Sequence, residues 1–168
     1  MRFDGQVWFD FSSADVWNFY RFVNAVAAAG NDVTLDWVPL PTVGQHEAMA
    51  TFLALESSTD RGRFLHAMLG LTHLEGADPG SAATRTRALA EVGCDVDADA
   101  WDRGRASLER LVGEARDLGV SGVPALYRHG PAVRVSLNAA ALLGDVSERA
   151  SLILAVAQDD GVWGLVKP

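Results

Sequence analysis

Apolar residues alternate near the start of the chain. Val7, Phe9 and Phe11 interleave with Trp8 and Asp10, and this period of two predicts a buried strand over 6–11. The period then lengthens. Val16, Phe19, Tyr20, Val23 and Val26 fall on one face of a helix from Ala14 to Ala29, which Gly30 and Asn31 end. "DVTLDWVPL", 32–40, alternates Val33, Leu35 and Trp37 as a second strand, closed by Pro39 and Pro41. Four helical stretches follow, at 44–58, 60–76, 81–93 and 97–119, the second started by Asp60. After Gly122 the period of two returns. "VPALYRH" and "AVRVSLN" flank His129, Gly130 and Pro131, which predicts a hairpin. A last helix is expected at 146–158, and "GVWGLVKP" as a loop or short cap.

The order is strand, helix, strand, helical stretch, strand, strand, helix. A helix joins the first two strands, so they should run parallel with a right-handed crossover. The last two should be antiparallel neighbours. The expected fold class is α/β, a mixed sheet with helices on both faces.

Composition narrows the function. Of the 168 residues, 49% are hydrophobic and 21% charged, enough for a substantial core. The net charge of -8 argues against nucleic acid and anionic membrane, whose partners carry basic patches. Cys94 is the single cysteine, so no intramolecular disulfide can form. "MRFDGQVWFD" places acids where a secretory leader needs an apolar run, and a cytoplasmic address is expected. "LILAVA" is too short to span a bilayer.

Two features sit at strand ends. Ser12 and Ser13 stand where the first strand hands over to a helix. "GVSGVP" brings Val123 and Pro124 to the start of the third strand, where proline marks an edge or a special turn. An X-Pro bond that is cis turns the preceding N–H and C=O outward, and such backbone can pair with a peptide-like ligand.

Together these pieces resemble the thioredoxin fold of the DsbA family, over essentially the whole chain. Redox members read "FDF-x-C-P-x-C" after the first strand. In "FDFSSADV", Ser13 stands at the first cysteine, Ala14 at the proline and Val16 at the second cysteine. "FLHAMLGLTHLEGADPG" resembles the family's "A-L-F-x-A-x-F-x-E-G" segment, and "ARDLGVSGVPALYRHG" the approach to its cis-proline strand. The resemblance implies a thioredoxin-like core at 1–43 and 119–168, holding an inserted helical subdomain at 44–118. Dithiol exchange at this site is excluded, because it needs a thiolate and a resolving thiol.

"FDFSSA" is more similar to the "FDF-x-S-P" of kappa-class glutathione transferases and 2-hydroxychromene-2-carboxylate isomerases. There the ligand supplies the thiol. The resemblance implies a thiol-dependent transferase or isomerase with glutathione or mycothiol as cofactor and an electrophilic small molecule as second partner. It implies that Ser13 holds the thiolate as catalytic residue. Ser12, Val123 and Pro124 would hold the ligand, in a pocket between the insertion and the Ser13 junction. The family's "G-x-D-R" is matched, with different spacing, by Gly144, Asp145 and Arg149 of "LLGDVSERASL", which would take the γ-glutamyl end. No metal is implied, and a homodimer is compatible with the family.

The energetics are workable. A free thiol has a pKa of about 8.5, and lowering it by about two units takes roughly 2.7 kcal/mol. A helix N-terminus offers about 0.3–1 kcal/mol, and up to ~2 when partly buried. A hydrogen bond to a charged group adds about 1.5–3. Helix end and hydroxyl together suffice where the helix end alone falls short.

Plainer readings stand beside these. Ser12 and Ser13 also read as helix caps, Ser12 with Asp15 resembling a capping box. A chain of this family without the two redox cysteines also reads as a redox-inactive module that holds a peptide or protein at the cis-proline edge. Cys94 reads as an idle thiol. His66 and His73 lack a third ligand for a metal. "DVDADAWD" lacks the glycine and glutamate of a calcium loop and reads as an acidic helix start. Trp17, Phe19 and Tyr20 fit helix packing.

Overall fold

The structure is a computed structural model that describes residues 1–40, 42–129, 131–158 and 164–165. The elements run β1 (Arg2–Phe9), α1 (Ala14–Ala28), β2 (Asp32–Pro39), α2 (His46–Ala54), α3 (Ser58–Glu75), α4 (Ala82–Val92), α5 (Ala98–Asp117), β3 (Ala125–Tyr127), β4 (Val133–Val135), α6 (Val146–Ala157) and β5 (Gly164–Leu165), with a 3-10 turn at Ala139–Leu142. Two compact units divide the chain. One comprises 1–9, 13–38 and 115–168; the other comprises 10–12 and 39–114. The expected strand-closing role of Pro41, the turn residue Gly130 and tail positions 161–163 and 166–168 lie outside the described residues.

The first unit is built on a mixed sheet of order β2-β1-β3-β4-β5. The Asp32 amide donates to the Met1 carbonyl at 3.0 Å, and the Phe9 and Trp37 rings lie 5.8 Å apart. The starts of β1 and β2 are therefore side by side, and so are their far ends: the two run parallel. β3 is antiparallel to β1, with Val7 opposite Leu126, and antiparallel to β4, with Leu126 opposite Val133. These paired side chains share a face. Phe3, Val7, Leu126, Val133 and Val135 pack there with Phe19 and Phe22 of α1 and Leu154 of α6. Trp8 points to the opposite face, as alternation requires, and is also fully buried.

β1 departs from expectation at both ends. It starts at Arg2 rather than residue 6, because the polar Arg2, Asp4 and Gln6 disguise an alternation whose inward member, Phe3, is fully buried. Arg128 satisfies Asp4 at 2.6 Å. It stops at Phe9 because the Phe11 amide pairs with a side chain, Gln45, instead of a strand. The hairpin strands β3 and β4 are three residues each. The tail, expected as a loop or short cap, contributes β5, which runs parallel to β4 with Leu165 beside Val135.

In the helical unit, α2 is shorter than its pattern. Leu55 turns extended, and Ser57 caps a new helix, accepting the Thr59 and Asp60 amides at 3.1 and 3.4 Å. Asp60 therefore sits inside the first turn rather than starting α3. The Arg61 guanidinium reaches back from that turn to the Leu55 and Leu53 carbonyls at 2.6 and 3.1 Å, closing the end of α2. Gly76 and Gly93 end α3 and α4 in left-handed conformation. Gly104 of α5 lies so close to the Ala50 carbonyl of α2 that a side chain there has no room.

Candidate functional site

Ser13 is the cap residue of α1. Its Oγ accepts the Val16 amide at 3.4 Å, and its carbonyl accepts the Trp17 amide at 3.1 Å, the first bond of the helix. The capping box between Ser12 and Asp15 does not form. Ser12 is one position too early; its Oγ accepts from the Gln45 side-chain amide at 2.8 Å. Asp15 turns instead to Arg134, at 3.6 Å.

The residues leading into Ser13 are held by buried polar groups of the helical unit. Gln45 Oε1 accepts the Phe11 N–H at 2.8 Å, and His73 Nε2 lies 3.0 Å from the Phe11 carbonyl. A carbonyl only accepts, so His73 carries its proton on Nε2. Gln45 is 5% exposed and Asp10 7%. Burial pushes the His73 pKa down from its ordinary value, opposed by the Phe11 hydrogen bond and the nearby Asp10 charge. Gln45 is also the cap residue of α2, yet no side-chain cap bond is made there, because both ends of its amide serve the junction.

Val123 and Pro124 form the other half of the candidate site. Their peptide bond is cis, and both residues are buried. The Val135 amide donates to the Pro124 carbonyl at 2.9 Å. Val123 lies just outside the β3 ladder, and among the described residues no loop or turn hydrogen bond uses its N–H or carbonyl.

Arg134 brings the halves together. It stands opposite Ala125 in the hairpin, on the outward face. A methyl group placed on Gly122 would meet Arg134 Cζ, Nε and Nη1 each at 3.6 Å, so the guanidinium lies flat over Gly122. Its other end reaches Asp15 at 3.6 Å. Gly122 precedes Val123 by one residue, and Asp15 follows Ser13 by two.

Asp145 and Arg149 make local bonds at the start of α6. Asp145 caps α6, accepting the Ser147 and Glu148 amides at 2.9 and 3.1 Å. Arg149 donates to the Ala141 carbonyl at 3.0 Å and to the Leu143 carbonyl. Both side chains serve the turn they stand on. Cys94 is half-buried between α4 and α5. His66 is exposed, and among the described residues no group of three or more His, Cys, Asp or Glu is arranged to hold a metal.

Sequence reasoning missed Gln45 and Arg134, and weighed His73 only as a metal ligand. His73 stands where the resembled "F-x-E-G" segment has phenylalanine, a departure that signals a polar contact. Arg134 was visible only as the outward member of "VRV". Gln45 carried no signal, since a polar residue before a helix is ordinary.

No family model matches the chain, and a search of curated proteins finds no match. Solved structures do match. DsbL of Salmonella enterica serovar Typhimurium is 16% identical, with 94% of this chain and 89% of that one covered and a TM-score of 0.58. A structure of reduced DsbL is 14% identical, covering 94% and 91%, with a TM-score of 0.59. A thioredoxin-like oxidoreductase from Silicibacter pomeroyi DSS-3 is 20% identical, covering 89% and 86%, with a TM-score of 0.61. The chain thus has an α/β fold of the DsbA type: a thioredoxin-like core with a helical insertion. Among the described residues, no helix is long and apolar enough to cross a membrane.

Proposed function

We propose that this chain is a small-thiol-dependent enzyme of transferase or isomerase type, acting in the cytoplasm. It uses glutathione or mycothiol against an electrophilic small molecule. One cysteine cannot run dithiol exchange within the chain, so the thiol comes from the ligand. Ser13 donates its hydroxyl proton to the ligand thiolate at the mouth of α1, and the Val123 backbone pairs with the cysteinyl unit. The observation that carries this reading is Arg134, whose guanidinium spans from Gly122, beside Val123, to Asp15 in the first turn of α1.

Thermal unfolding with added glutathione or mycothiol tests it. Ligand at 100 times its dissociation constant stabilises by about 2.7 kcal/mol. The wild type should gain that, and Ser13→Ala should need far more thiol. An unmoved wild-type transition at millimolar thiol would count decisively against the reading. A second reading, a redox-inactive module that holds a peptide or protein, is favoured by Asp145 and Arg149 being spent on their own turn.

A further inference from the structure

We propose that Arg134 makes this site select a thiol bearing a carboxylate, as glutathione does, over an uncharged thiol such as mycothiol. The inference rests on the thiol-binding reading above and adds which class of thiol is taken. Arg134 is the cation that this fold sets between the two halves of the site, and its side chain is 56% exposed. Its guanidinium is braced flat on Gly122, so its orientation is preset while more than half of the side chain is exposed. A planar fork fixed in this way suits bidentate capture of a carboxylate, which pairs with it more strongly than neutral acceptors do.

Asp15 is the competitor. The pair is 3.6 Å apart, beyond ordinary hydrogen-bond distance, and exposed pairs of this kind contribute little. A ligand carboxylate at hydrogen-bond distance displaces it. Asp15 thus holds the cation in readiness and partly screens it in the empty site. The setting sharpens the point. The chain as a whole carries a net charge of -8, which repels anions, so a local cation is needed for an anionic thiol to dock.

Calorimetric titration of the full chain tests this with glutathione, glutathione diethyl ester, mycothiol and S-methylglutathione. Glutathione should bind about tenfold more tightly than its diester or mycothiol, the worth of one charge-assisted pair. Arg134→Gln should erase that ratio, and Asp15→Asn should enlarge it, an increase that a purely structural pair would not produce. Equal affinity for glutathione, diester and mycothiol would overturn the carboxylate selection and leave the thiol reading standing. S-methylglutathione bound as tightly as glutathione, with the ester still weak, would keep the selection and overturn thiolate binding. No binding of any compound at millimolar concentration would overturn both.

Discussion

Among the described residues, three helices begin on a serine, and their surroundings differ. Ser57 and Ser81 open α3 and α4. Each accepts amides of its own first turn, Ser57 at 3.1 and 3.4 Å, and Ser81 at 3.1 Å with its hydroxyl also 2.9 Å from Thr84 Oγ1. Their partners are local, as a cap's should be. Ser13 makes the same kind of bond, at 3.4 Å, but the chain before it is gripped by Gln45 and His73, and the turn after it is tied to the "GVSGVP" loop through Arg134. A serine at a helix start is uninformative by itself. Distant side chains that fix the backbone on either side of it are the evidence of a further role, because capping requires none of them.

That contrast can be broken in order of effect. Gln45→Ala should be the most damaging change, removing the buried hydrogen bond to the Phe11 amide at about 1–3 kcal/mol, read by urea unfolding. A loss no larger than that of an exposed-site control would mean the grip on the junction is incidental. Ser13→Ala should lower thiol affinity about tenfold, the worth of one hydrogen bond to a charged group. Ser57→Ala and Ser81→Ala should each cost about 1 kcal/mol of stability as lost caps, with thiol affinity untouched. If all three serines behave alike in the binding assay, the distinction drawn here fails.

The smallest effect concerns pH. His73 in the folded chain binds its proton less readily than its ordinary value of 6.5. Below that value the unfolded chain takes up the proton first, so stability drains away as pH falls through and below about 6.5. His73→Phe removes this contribution. Unfolding free energies measured at neutral and mildly acidic pH should then fall less steeply for the variant, and parallel slopes would show that His73 is not the responsible group.

The fold was legible because it lies in periodicity. Val33, Leu35 and Trp37 set β2, and Phe19 and Val23 set the inner face of α1, each within one local window. Turn chemistry was legible for the same reason, as with Gly76 and Gly93. What periodicity misses is satisfaction at a distance. Phe3 belongs to β1 because Arg128 takes the charge of Asp4 across 124 positions. Phe11 leaves the strand because Gln45 takes its amide across 34 positions. Arg134 showed as an ordinary outward residue, since nothing nearby in the chain reveals that Gly122 lies beneath it. The candidate site was therefore half readable: its two motifs stood out, and the three side chains that hold and join them did not.

Neither end of α2 is capped by the side chain of its own cap residue. Gln45 gives its amide to the junction, and the far carbonyls rely on Arg61. This nine-residue helix is therefore a dependent piece of structure. Its last amides should become open to solvent deuterium together with the first turn of α3, because Arg61 ties the final carbonyls of α2 to that turn.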